Sequence, residues 1–122
     1  MKVTLIEFGK ENQNGRIYLH HEVSELPKQM FCSLDILTDQ YKIPVFDVPL
    51  NGDSTCGFAD ISMDQEGIYA EVRPFSDARG QMFNELMMNG YKIEPLGTGS
   101  LNEKNEVEDY RLHYVFLMKN EE

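Results

Sequence analysis

The chain has 122 residues, of which 21 are acidic and 11 basic, for a formal net charge of −10 and a hydrophobic share of 41%. That length predicts one domain over residues 1–122, large enough to bury roughly two-thirds of the surface its unfolded form exposes. The negative field repels phosphate backbones and disfavours a general DNA- or RNA-binding role, while leaving room for a small anionic ligand where a few cations converge.

Residues 2–8 are short and rich in β-formers, with Leu5, Ile6 and Phe8 apolar, and predict a first strand ending at Gly9. Asn14-Gly15 is a strong turn signal because both residues accept positive φ, so a tight loop presents Arg16 just before Ile17 and Tyr18. Residues 19–37 hold two one-turn helical patterns around Pro27, whose missing amide prevents one continuous helix, and they predict a broken helix. Residues 42–48 predict a strand that the internal Pro44 pushes toward a sheet edge. Residues 55–63 and 67–75 form a hairpin about a polar turn. In its second arm Ile68, Ala70 and Val72 share one face, and Tyr69, Glu71 and Arg73 the other.

Residues 76–90 carry the one complete helix signal. Ser76 or Asp77 caps its free amides, Met82, Phe83, Leu86 and Met87 make one apolar stripe, and Asn89-Gly90 ends it. Tyr91-Lys92-Ile93-Glu94 alternates as a half-buried strand and enters a glycine-rich turn over residues 95–100, followed by a charged loop over residues 101–107. Residues 108–118 form the strongest strand pattern. Tyr110, Leu112, Tyr114, Phe116 and Met118 are predicted on one face, Arg111, His113, Val115 and Leu117 on the other, and apolar character on both predicts a central strand. The sum is an antiparallel-rich α+β domain: a sheet of about six strands, one main amphipathic helix packed on it and a second, broken helix.

Cys32 and Cys56 lack any CxxC or CxH spacing, which predicts neither a disulfide framework nor a zinc site and fits a reduced, cytoplasmic chain. No stretch approaches about 18 apolar residues, and the start has no signal-peptide pattern, so no membrane span is expected. The carboxylates show no calcium-loop order. His20 and His21 are adjacent and point to different sides of any regular element, whereas His113 shares a strand face with Arg111. Ser100, beside Gly97 and Gly99, is the one serine in a backbone setting suited to an oxyanion hole. The same glycines equally suit a nest of amides that binds an anion without chemistry.

Asn14-Gly15-Arg16-Ile17-Tyr18 resembles the motif that opens phage prohead (capsid maturation) proteases of the herpesvirus-assemblin-like fold. The likeness extends to the order of elements: hairpin, the helix with Ala78-Arg79-Gly80-Gln81-Met82, Gly90-Tyr91-Lys92-Ile93, a glycine-bearing turn and a closing strand. In that family a catalytic histidine sits after an aspartate and before a proline; here Phe46-Asp47-Val48-Pro49 puts Val48 in its place. The family's nucleophilic serine follows the strand after the helix, where this chain has Leu96 or Gly97, with Ser100 several residues beyond. The resemblance thus implies the scaffold without its catalytic groups. In size, element order and lack of those groups the chain is also similar to phage anti-Thoeris sponges, which sequester the cyclic ADP-ribose-type signal made by bacterial TIR enzymes. That second likeness is one of analogy.

These resemblances imply a non-catalytic phage or prophage protein that sequesters a small cyclic nucleotide-type immune signal in the host bacterial cytoplasm. It would act as a homo-oligomer, without cofactor or metal, and without nucleic-acid polymer or membrane as partner. A base needs an aromatic face and phosphates need arginine forks, which nominates Arg16, Phe83, Tyr91, Lys92, Arg111 and His113 as ligand-binding, with Arg16 reaching in from a neighbouring subunit. Core packing is the competing account of Phe83. Two other classes stay open: a small serine peptidase using Ser100 with His20, His21 or His113, and a virion assembly or interaction protein whose acidic surface meets a basic partner.

Overall fold

The computed structural model describes residues 2–33 and 55–119 of the chain. The last strand, here β8 (Glu106–Lys119), organises the others, because its 14 residues offer hydrogen-bonding groups along two edges. Strand β7 (Tyr91–Leu101) runs antiparallel along one edge, from Leu101 opposite Val107 to Tyr91 opposite Lys119. The other edge takes three short strands in turn, all parallel to it. These are β2 (Ile17–Tyr18) at Glu106 and Val107, β3 (Val23–Glu25) at Tyr110 and Arg111, and β4 (Gln29–Ser33) at Val115 and Phe116. From β4 the sheet continues antiparallel through β5 (Thr55–Met63) and β6 (Gly67–Pro74) to β1 (Lys2–Glu7). Phe8 bridges Tyr18, and the Gly9 amide donates to the Tyr18 carbonyl at 2.8 Å, which draws the end of β1 back toward β2 and curls the sheet.

The described residues are mostly β, 61% strand and 15% helix, in a curled mixed sheet of eight strands with one α-helix; this corrects the expected antiparallel-rich α+β domain of about six strands and two helices. The expected broken helix is where the two readings part. A single 3-10 turn, His20–Glu22, stands there, followed by β3 and β4. Pro27 does interrupt the segment, yet the chain on either side of it is claimed by the open edge of β8, whose ladder satisfies amides that one turn of helix would leave unpaired. Residues 95–100 are likewise strand, not turn, since β7 stays paired with β8 as far as Leu101. The edge strand expected at residues 42–48, with Val48, lies outside the described residues.

The faces of β8 also depart from simple alternation, for a geometric reason. Two irregularities in its pairing with β7 each add one residue to β8: Leu96 faces Tyr114 while Gly97 faces Leu112, and Thr98 faces Arg111 while Ser100 faces Glu108. The first leaves His113 without a partner across the ladder. The second falls at Asp109, which has φ 55° in the left-handed region that aspartate tolerates. Each extra residue shifts the period-two phase by one, so the core takes Val107, then Tyr110 and Leu112, then Val115 and Leu117. The expected set of Tyr110, Leu112, Tyr114, Phe116 and Met118 is thereby split, with Val115 and Leu117 crossing to the core side. Val115, Phe116 and Leu117 are all buried, so both faces are covered at that end.

Helix α1 (Ala78–Met88) lies against β5, β6 and β7. The Asp77 carboxylate caps it, accepting from the Arg79 amide at 3.0 Å and the Gly80 amide at 3.4 Å, and Gly90 at φ 89° follows its end. Gly80 permits the close seat: a Cβ there would lie 1.6 Å from the Phe75 carbonyl oxygen. That contact drives Phe83 into the core, fully buried among the inward residues of the sheet. Cys32 and Cys56 are buried free thiols on adjacent strands, and Cys56 donates to the Cys32 carbonyl at 3.4 Å. The hydrogen bond with Cys56, reinforced by burial, pushes the Cys32 thiol far up, which keeps it protonated and unreactive. Among the described residues no helix is long and apolar enough to cross a membrane, and no cluster of histidine, cysteine and carboxylate groups can hold a metal.

Two outcomes follow from the helix. Phe83→Ala leaves a cavity under α1 and should cost about 3–5 kcal/mol in urea unfolding, with an unchanged denaturant slope. The side-chain hydrogen bond from Arg79 holds Asp77 below the usual carboxylate range. Its stabilising effect is therefore present above the unfolded pKa and lost as pH falls through the folded one. Asp77→Ala should lower the melting temperature at neutral pH, and that deficit should close below about pH 4.

Candidate functional site: a cleft between the Arg16 turn and the β7–β8 hairpin

A turn and a bulged hairpin meet to form the main candidate site. Asn12 builds the turn: its side-chain oxygen accepts from the Asn14 amide at 2.9 Å and the Arg16 amide at 3.0 Å, while Gly15 sits at φ 77°. The chain then enters β2, so Arg16 stands at the mouth of a cleft of about 400 Å³, with Tyr18 on the same wall. The opposite wall is β7 from Gly97 to Leu101, backed by Val107 and Tyr110 of β8. Tyr18 meets Tyr110 edge-to-face at 5.1 Å between ring centres, and Tyr110 is only 4% exposed. Burial, with Tyr18 beside it, pushes the Tyr110 hydroxyl well above its ordinary value and leaves a neutral donor at the cleft's base.

The glycines of this wall have a role different from the expected amide nest. Neither Gly97 nor Gly99 has positive φ, and both lie inside β7. A Cβ on Gly97 would stand 2.6 Å from the Tyr110 ring and 2.3 Å from the Arg111 carbonyl oxygen, and one on Gly99 2.8 Å from Val107. They are glycines so that β8 side chains can cross beneath them and floor the cleft. A smaller hollow of about 310 Å³ lies on the other side of Tyr18, lined in part by Glu7, Glu11 and Lys10. Its two carboxylates make it a poor anion site.

Electrostatics single out Arg16. Arg73 Nε lies 3.2 Å from Asp60, Arg79 Nη2 2.9 Å from Asp77, and Arg111 3.2 Å from Glu25 and 3.5 Å from Asp109. Among the described residues Arg16 alone of the four arginines has no carboxylate on its guanidinium, in a chain with nearly two acids for every base. An unpaired fork at a cleft mouth is available to an outside oxyanion without first breaking an internal pair.

The nominated residues divide. Arg16 lines the cleft, and Arg111 and His113 lie next to it: Arg111 is directly across from Thr98, and His113 Nε2 is 2.9 Å from Thr98 Oγ1. Tyr91 and Lys92 are at the far end of the hairpin, opposite Lys119 and Met118, roughly 20 Å along the strand from Thr98. Phe83 has no exposed surface and no free ring face to offer a base. Among the described residues Ser100 has no histidine partner; His20 packs edge-on against Phe8 at 5.6 Å, and His21 is 3.6 Å from Glu22. Sequence reasoning left out Tyr18 and Tyr110. Tyr18 closes the same five-residue motif as Arg16, whereas Tyr110 enters the site only because the Asp109 bulge turns it inward.

No family model, curated protein or solved structure matches this chain. Gly97→Ala should displace the Tyr110 ring and cost roughly 1–3 kcal/mol of stability, whereas Ser100→Ala, at an exposed position, should fall within about 0.5 kcal/mol of the parent in urea unfolding.

Proposed function

We propose that this chain is a non-catalytic binding protein that holds a small phosphorylated, nucleotide-type ligand in the Arg16 cleft and withholds it from a receptor, in the host bacterial cytoplasm and as a homo-oligomer. The observation that carries the reading is the Arg16 guanidinium, without a carboxylate partner among the described residues, at a cleft of about 400 Å³, a size suited to one small molecule. Arg16 takes the phosphate, the Tyr18 ring gives a base an aromatic surface, and the buried Tyr110 hydroxyl offers a neutral donor. Sequestration needs tight binding without turnover, and Ser100 without an imidazole accords with that. The resemblance to anti-Thoeris sponges narrows the ligand to cyclic ADP-ribose isomers or cyclic oligonucleotides.

Isothermal titration calorimetry with cyclic ADP-ribose isomers and cyclic di- and trinucleotides tests this. Arg16→Ala should weaken binding by roughly ten- to a hundredfold, the range for removing a charge-assisted hydrogen bond. Absence of heat with every ligand, or an unchanged affinity in Arg16→Ala, ends the proposal.

One observation favours a second reading. The Thr98 hydroxyl and His113 imidazole, 2.9 Å apart and both exposed, are a nucleophile and base in contact at the edge of the cleft. Among the described residues nothing is bonded to the other ring nitrogen of His113 to orient it, as a hydrolytic triad requires. Stoichiometric labelling by a fluorophosphonate, lost in Thr98→Val and in His113→Gln, would favour hydrolysis over sequestration.

A further inference from the structure

The outer face of the sheet holds an aromatic cluster that neither the cleft nor the core uses. In the ladder Phe31 of β4 faces Phe58 of β5, which faces Arg73 of β6, so the three form one row across the sheet. The next row, Gln29, Asp60, Glu71 and Lys2, is wholly polar, as expected of a solvated face. Phe31 and Phe58 nevertheless remain 43% and 37% exposed, stacked on each other at 5.2 Å, and Phe75 meets them edge-on at 6.4 and 5.1 Å. Two ion pairs border the rings. Arg73 lies 5.7 Å over Phe58 and is paired to Asp60, and Arg79 lies 4.7 Å over Phe75 and is paired to Asp77.

We infer that this face is where two copies of the chain pair about a two-fold axis. Charge selects the occupant. A chain at −10 repels its own copies, and association requires a face whose carboxylates are already neutralised. Asp60 and Asp77 are neutralised by arginines of the same chain. Because the rim carries both signs around an apolar centre, a two-fold operation can set the arginines of one copy against the carboxylates of the other while the phenylalanines meet in the middle. A phosphorylated ligand would face Asp60 and Asp77 first, and a nucleic acid would be repelled by the rest of the surface. A strongly basic partner would find more unpaired carboxylate elsewhere. Aromatic residues and arginine with few unpaired charges are also the composition of an interface centre.

The inference deepens the homo-oligomer part of the function proposed above and is independent of the ligand. Sedimentation velocity without ligand, at about 100 µM chain, reads the association, and calorimetry on Arg16→Ala reads the cleft separately. The expected result is a dimer whose dissociation constant rises at least about tenfold in Phe58→Lys and Phe31→Lys. Both positions are exposed, and circular dichroism checks that the variants fold. Arg73→Glu, which leaves the rings in place but makes the rim acidic, should weaken the dimer as well. Raising salt from about 20 to 300 mM should tighten the dimer, since screening the net charge of −10 on each copy outweighs screening a few exposed pairs. A monomer at both salt concentrations overturns the inference, as does a dimer indifferent to all three substitutions. So does a monomeric parent whose nucleotide binding is lost in Phe58→Lys, which would make the face a ligand site.

Discussion

A strand of fourteen residues, paired along nearly its whole length with a partner of eleven, cannot keep one set of alternate side chains on a single core unless extra residues are absorbed on the longer side. Asp109 and His113 are those residues. Each lets β8 step one position past β7, and after each step the inward set changes phase, so Val107, Tyr110, Leu112, Val115 and Leu117 all reach one interior. The curl of the sheet, the seat of α1 and the floor of the cleft depend on that adjustment. Without the Asp109 bulge Tyr110 would point outward, and the Arg16 cleft would lose its base.

The bulges also place chemistry. A bulged residue is freed from the ladder's strict alternation, and His113 uses that freedom to bond Thr98 across the hairpin. At the other bulge the Asp109 amide, released from cross-strand pairing, donates to Glu22 at 3.1 Å, while the Asp109 carboxylate approaches Arg111. Acidic groups thus consume Arg111, whereas among the described residues Arg16 has no carboxylate partner. In a chain so rich in carboxylates a guanidinium unpaired among the described residues is the exception, and it lines the cleft.

Much of this was legible beforehand. The hairpin of β5 and β6, its inward Ile68, Ala70 and Val72, the start and stop of α1 and the turn presenting Arg16 all rest on local rules, namely alternation, caps and positive φ, and these held. The parts that depend on partners distant in sequence were not legible. Nothing in residues 23–33 announces two strands parallel to a segment some eighty residues later, and a one-turn helical pattern around Pro27 looked equally good. The phase of β8 is not legible in the sequence because a bulge has no signature as strong as a turn's; Asp109 and His113 look like ordinary polar positions of an alternating strand. Of the nominated residues, Arg16 lies on the cleft and His113 beside it, placed by the turn signal and by strand position, while Phe83 was claimed by the core because helical spacing reports which residues share a face and not what that face meets.

The order of assembly carries a cost of its own. The strands β2, β3 and β4 come early in the chain, yet each is laid against β8, which is synthesised after every other element. Strands β2 and β3 therefore lack their ladder, and β4 has only its β5 edge, until β8 has emerged, and contacts of such long range close slowly. During that interval β4 pairs through β5 alone, and its other edge, at Cys32 and Ser33, stays open. The arrangement that lets one strand collect a whole sheet also makes the fold's completion wait on that strand.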